Sequence, residues 1–164
     1  MLNRTQYEQL IYTLPTHYPS IRLSTLVLVP PGLNTAQLTG FVTFGKDYVL
    51  CVYELLNFEQ GVIEAYRYEV SRCHPPFVES PLPEATEYCR PGYPGKEKLY
   101  WYDSWPHPNN PKLAATFPHH KHLPPDIKRH RIPAPDLSFT HPNLPALIAE
   151  IERDLLQKTQ DEKL

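Results

Sequence analysis

Tyr48–Leu56 (YVLCVYELL) and Val62–Val70 (VIEAYRYEV) flank the connection Asn57-Phe58-Glu59-Gln60-Gly61. Both flanks have strand length and are rich in β-branched and aromatic residues. A short, Gly-containing connection between two such runs predicts an antiparallel hairpin. If the register pairs residues whose numbers sum to 120, Glu54 lies opposite Tyr66 and Val52 opposite Tyr68. All four side chains then share one face, and a slip of one residue would send them to the other.

The neighbouring segments extend this hairpin. Ile21–Val29 is apolar and β-branched and stops at Pro30-Pro31-Gly32, while Leu38–Phe44 stops at Gly45-Lys46-Asp47. With Leu99–Tyr102 they predict an antiparallel sheet of about five strands. Thr5 and Glu8 have capping-box spacing, and Tyr7, Leu10, Ile11 and Leu14 follow at helical spacing, so an amphipathic helix is expected to end at Pro15. Near the other end, Leu144, Leu147, Ile148, Ile151 and Leu155 form a second helical stripe, with Asn143 or Thr140 available as its cap. The fold class is therefore α+β, with an N-terminal and a C-terminal helix packed on the sheet. Length favours one domain over residues 1–164. Residues 72–98 read as a Pro-rich excursion, 103–141 as a long Pro- and His-rich loop, and 157–164 as a frayed polar end.

Composition narrows the class further. Hydrophobic content of 41% at a net charge of −2 excludes a disordered chain. Sixteen of the 20 prolines fall between Pro75 and Pro145, which excludes a long helix there. No apolar run is long enough to span a membrane and no signal pattern opens the chain, so a cytoplasmic protein with no membrane partner is expected. Cys51, Cys73 and Cys89 are odd in number and form no CxxC pair, so thiols are expected rather than a disulfide. The total charge hides a split. Residues 1–95 sum to −3, residues 96–131 to +4 and residues 132–164 to −3, and five of the eight histidines lie in the basic middle block.

Four elements could carry chemistry. The first is Pro118-His119-His120-Lys121-His122. In an extended chain, His120 and His122 point one way, and His119 and Lys121 the other. These histidines suit proton transfer, since imidazole titrates near neutrality. A metal site formed by His120 and His122 with His107 or Asp103 is a further reading, against which stands the absence of a CxxC or HExxH motif. A plain solvated loop is the third reading. The second element is Tyr100–His107, where Trp101, Tyr102 and Trp105 flank Asp103 and offer faces on which bases stack. The third is the hairpin, with Glu54 among Tyr66 and Tyr68, a candidate base or a hydrogen-bonded sheet residue. The fourth is the cationic set Lys112, Lys121, Lys128, Arg129 and Arg131, with His130 in the row, suited to phosphate contact or to a solvated surface.

Taken in order, Glu54, Tyr66-Arg67-Tyr68, Tyr102-Asp103-Ser104-Trp105-Pro106-His107 and Pro118-His119-His120-Lys121-His122 resemble the TumE family of toxins from bacterial toxin–antitoxin pairs, over most of residues 20–155. The family pattern has Arg before the Tyr-Asp pair and Asn after it, where this chain has Trp101 and Ser104. If that Arg contacts phosphate, its role passes here to Lys121, Arg129 or Arg131. The resemblance implies a toxin that binds and cleaves RNA and is neutralised by a cognate antitoxin protein, and it gives a reason to treat the four elements as one site. On that reading Glu54, Asp103, His119, His120 and His122 are catalytic. Tyr66, Tyr68, Trp101, Tyr102, Trp105, Lys121, Lys128, Arg129 and Arg131 bind substrate, and no cofactor is required. The alternatives are a metal-dependent hydrolase or metal-binding protein using Asp103, His107, His120 and His122, and a non-catalytic module that binds nucleic acid or a protein partner.

Overall fold

A computed structural model describes residues 2–45, 47–74 and 84–157. Helix α1 (Arg4–His17) leads into β1 (Ile21–Ser24), β2 (Val27–Val29), β3 (Thr35–Phe44), β4 (Tyr48–Asn57) and β5 (Val62–Cys73). A short helix α2 (Ala85–Tyr88), β6 (Lys96–Asp103), a 3-10 turn (Pro111–Thr116), β7 (His120–His122) and β8 (Arg131–Pro133) follow, and α3 (Leu144–Ile151) runs on into a π-helical turn (Glu152–Gln157). All strand pairs are antiparallel, in the order β1-β3-β4-β5-β6-β7-β8, with β2 also on β3.

The hairpin register is the expected one: Glu54 pairs with Tyr66 and Val52 with Tyr68. Gly61 adopts φ +67° in the connection, a conformation that costs a residue without Cβ little. The sheet has eight strands rather than about five. Three of the additional ones are the three-residue pieces β2, β7 and β8, which are too short for alternation to reveal. The edge opposite β3 breaks at Thr25-Leu26, where Gly40 comes so close that a Cβ would lie 2.6 Å from the Thr25 carbonyl oxygen.

The two main helices cover one face. Tyr7, Ile11 and Leu14 of α1 and Leu144, Leu147, Ile148 and Ile151 of α3 are buried against Leu38, Val42, Leu50, Val52, Tyr68 and Val70. Each such apolar side chain contributes roughly 2 kcal/mol on burial. Asn3, not Thr5, caps α1 by accepting from Gln6 N at 3.1 Å, and Asn caps as well as Thr does. Pro15 lies inside the last turn and removes one intrahelical bond. The helix closes beyond it, with Tyr18 N donating to Leu14 O at 2.9 Å. Asn143 stands at the start of α3 but caps nothing with its side chain, which instead donates to Tyr68 Oη at 2.9 Å.

The other face has a smaller apolar cluster of Phe41, Val49, Cys51, Cys73 and Tyr88. A Cys51–Cys89 disulfide ties the segment after α2 onto β4, with a Cα separation of 5.7 Å, and this overturns the expectation of free thiols. The fold brings residues 38 apart face to face, a proximity that spacing in the sequence does not show. Cys73 remains a buried thiol. The expected irregular stretch 72–98 is in part regular: β5 reaches Cys73, α2 forms, and β6 begins at Lys96. Residues 75–83 of that stretch and 158–164 of the expected frayed end lie outside the described residues. Among the described residues, no helix is long and apolar enough to cross a membrane.

Candidate functional site

Strand pairing sorts the candidate residues. Arg67, Asp103 and His120 are neighbours across β5, β6 and β7, as are Glu69, Trp101 and His122 in the next row. Cross-strand partners share a face, so Arg67, Trp101, Asp103, His120 and His122 stand on the side away from the helices. Val52, Tyr68, Tyr102 and Lys121 form the alternating row between them, and Glu54 with Tyr66 lies on that same helix-covered side. The four sequence elements therefore split between two faces.

On the helix side, Glu54 is wholly buried. Tyr68 Oη donates to its carboxylate at 2.6 Å, and Tyr7 Oη donates to the other oxygen. Burial pushes the Glu54 carboxyl up to about 7, against the opposing pull of these two hydrogen bonds. Tyr66, Tyr68 and Tyr102 are buried too, so their rings are core rather than surfaces for bases. Tyr66 stacks on Tyr68 at 4.8 Å and on His119 at 5.7 Å, and its hydroxyl lies 2.7 Å from His119 Nδ1. Burial, then His120, lowers the His119 pKa. Lys121 donates to Glu150 of α3 at 2.9 Å, Tyr102 Oη donates to the other Glu150 oxygen, and the ammonium sits 3.8 Å from the Tyr100 ring centre. Glu54, His119, Tyr66, Tyr68, Tyr102 and Lys121 thus belong to the support behind the sheet. The expected single pocket containing Glu54 with the histidine pair does not form, because side chains alternate along each strand.

The other face gathers the rest. A hollow of about 360 Å³ is lined by Trp101, Asp103, Trp105, His107, His122, Lys128 and Arg131. His120, fully buried, is not part of that lining but touches two residues that are: its Nε2 lies 2.9 Å from His122 Nε2 and 3.0 Å from an Asp103 oxygen. His122 Nε2 is 3.4 Å from the second Asp103 oxygen. Asp103 also accepts from Trp105 N at 2.9 Å. Burial alone would raise the Asp103 pKa, but the two imidazoles outweigh it and hold the carboxyl far below the usual range. His107 packs edge-on to His120 at 4.9 Å, and burial followed by the Arg131 charge lowers its pKa.

The rim is aromatic and basic. Trp105 is 71% exposed, and Trp101 packs 4.4 Å from His122 while donating its Nε1 to Ile127 O at 3.2 Å. Lys128 is exposed, and the buried Arg131 Nε has no hydrogen-bond partner among the described residues. Arg129 is exposed but does not line the hollow. Of the basic block, Lys96 and Lys98 are spent on Glu69 and Lys121 on Glu150. The positive charge facing the hollow is thus narrower than the segment sum suggests.

Sequence reasoning missed Arg67. Within Tyr66-Arg67-Tyr68, alternation alone sends it to the face opposite its tyrosine neighbours, beside Asp103. The carbonyls of Pro118 and Ile127, which meet the two imidazoles from behind at 2.9 and 2.8 Å, carry no sequence signal.

No curated protein and no solved structure matches this chain. Residues 18–155, a span that takes in the sheet, the histidine pair and α3, match the model of the family described as Toxin TumE, and the chain belongs to that family.

Proposed function

We propose that this protein is the toxin of a toxin–antitoxin pair and acts in the cytoplasm by cleaving RNA in the hollow around Asp103, His120 and His122. The observation that carries this reading is the meeting of one carboxylate and two imidazoles with two cations and two indoles around a single open hollow, with the His120 ring buried against that carboxylate. RNA cleavage by its own 2′-hydroxyl needs those parts. The 2′-oxygen attacks phosphorus, the bond from phosphorus to the 5′-oxygen breaks, and a 2′,3′-cyclic phosphate and a 5′-hydroxyl result. The imidazole cluster takes the 2′-OH proton and returns one to the 5′-oxygen. Lys128 and Arg131, with Arg67 along the same face, offset the charge that builds on the phosphate. Trp101 and Trp105 hold flanking bases by stacking.

Family membership supports the toxin and, with it, an antitoxin that neutralises it. The test is induced expression with and without the adjacent gene, together with incubation of the purified chain with RNA. Arrested growth, rescue by the neighbour, and fragments ending in cyclic phosphate are expected. Normal growth with intact RNA would overturn the reading, and salt-sensitive RNA binding without turnover would replace it with a binding module.

A further inference from the structure

Two imidazole nitrogens 2.9 Å apart must have something between them. A carbonyl oxygen only accepts, so Pro118 O and Ile127 O fix the proton of His120 and of His122 on Nδ1. In the neutral rings both Nε2 atoms are then lone pairs, and both point at each other and at the Asp103 carboxylate. Three acceptors facing one another repel unless a proton, held on a ring that then donates to Asp103, or a metal cation joins them.

We propose that Asp103, His120 and His122 bind one divalent first-row transition ion, with Zn²⁺ as the probe. This rests on the hollow being the reacting centre of the toxin, and it moves proton transfer from His120 and His122, whose ring nitrogens are then both engaged, to His107. Four-coordinate Zn²⁺ bonded at about 2.0–2.1 Å places its ligand atoms about 3.3 Å apart. The two Nε2 atoms are 2.9 Å apart and lie 3.0 and 3.4 Å from the carboxylate, all close to that edge, with a different Asp103 oxygen facing each ring. The outer support also suits a metal. Ligating histidines nearly always give their other N–H to a carbonyl or carboxylate, and ligating carboxylates are themselves hydrogen-bonded. His120, His122 and Asp103 have such partners in Pro118 O, Ile127 O and Trp105 N. His107 stands beside them, in a group with Asp103 and His120 whose ligand atoms lie within 4.8 Å of one another. Two histidines and a carboxylate leave a coordination position open towards the hollow, where the ion would polarise a phosphoryl oxygen.

The experiment uses the full chain, made without a histidine tag, stripped with chelator and titrated with Zn²⁺ by calorimetry. Co²⁺ absorption serves as a second readout of coordination. One ion per chain is expected. His120→Ala, His122→Ala and Asp103→Asn should each weaken Zn²⁺ binding by more than the roughly 10–100-fold that loss of an outer hydrogen-bond partner costs. His130→Ala, whose ring bonds Pro124 O outside the hollow, should bind as the parent does. A parent chain that takes up no more Zn²⁺ than the His120→Ala/His122→Ala double variant overturns the proposal, and a shared proton then joins the two rings. Stoichiometric binding with no RNA cleavage would leave the metal site standing and sink the ribonuclease. Cleavage undiminished by chelator, with no uptake, would do the reverse.

Discussion

Glu54 and Asp103 stand one strand apart, on β4 and β6, and face opposite sides of the same sheet. One carboxylate is sealed beneath the helices and the other borders the hollow. Substitutions should separate them cleanly. His120→Ala, His122→Ala and Asp103→Asn should lower RNA cleavage by about 100-fold or more. Glu54→Gln should cleave at the parental rate once folding is confirmed by melting. Cleavage lost in Glu54→Gln at full melting temperature would return that residue to the chemistry.

Glu54 should reveal itself instead in stability against pH. Its folded pKa of about 7 is above the ordinary carboxylate value, so the folded state holds its proton more tightly than the unfolded chain does. The contribution is fully present below about pH 4.5 and is lost as pH rises through 7. At about 1.4 kcal/mol per pH unit, the loss is on the order of 3 kcal/mol. Urea unfolding of parent and Glu54→Gln across this window checks it: the difference between them should shift against the parent as pH rises, and a flat difference would refute the assignment.

The lysines divide in the same way. Lys128→Ala and Arg131→Ala should weaken RNA binding and each reduce the slope of log affinity against log salt by about 1. Lys121→Met should leave that slope unchanged, because Lys121 is turned to Glu150. It should lower stability by about 2 kcal/mol, the contribution of a charged hydrogen bond that is largely shielded from water. Binding measured over a salt series, with unfolding on the same samples, distinguishes the two kinds of cation.

The disulfide closes a loop of 38 residues, for which chain entropy gives about 4 kcal/mol at most. Cys89→Ser should therefore unfold at lower denaturant concentration than the parent under oxidising conditions, and match it once both are reduced. Equal midpoints before reduction would mean that the bridge contributes nothing to stability.

The hairpin and both helical stripes were legible because long elements repeat their pattern several times. The register of Glu54 and Tyr66 was one alternative the hairpin allowed, and an irregularity at Leu55/Leu56, which the sequence does not show, fixes it. The parity of His120 and His122 was legible too, since alternation holds even in three residues. What could not be read was the assembly across strands. β7 and β8 are too short for a pattern, so nothing in the sequence placed Asp103 opposite His120 or put Glu54 behind the sheet. The order of the motifs along the chain does not separate the two faces of the sheet. Arg67, the cation beside Asp103, sits between two tyrosines that point into the core, so alternation is the one signal of its side.

The three residues of β7 leave no spare position. His122 lines the hollow with His120 buried beside it, and Lys121 grips α3. Deleting or inserting one residue just before this strand would exchange their sides, pushing an ammonium into the cleft and two rings under the helix. Point substitutions around β7 can be absorbed by repacking, but a change in its length cannot. Across descendants of this sequence, length variation should collect in the turns beyond the carbonyls of Pro118 and Ile127, and the count between Pro118 and His122 should stay frozen.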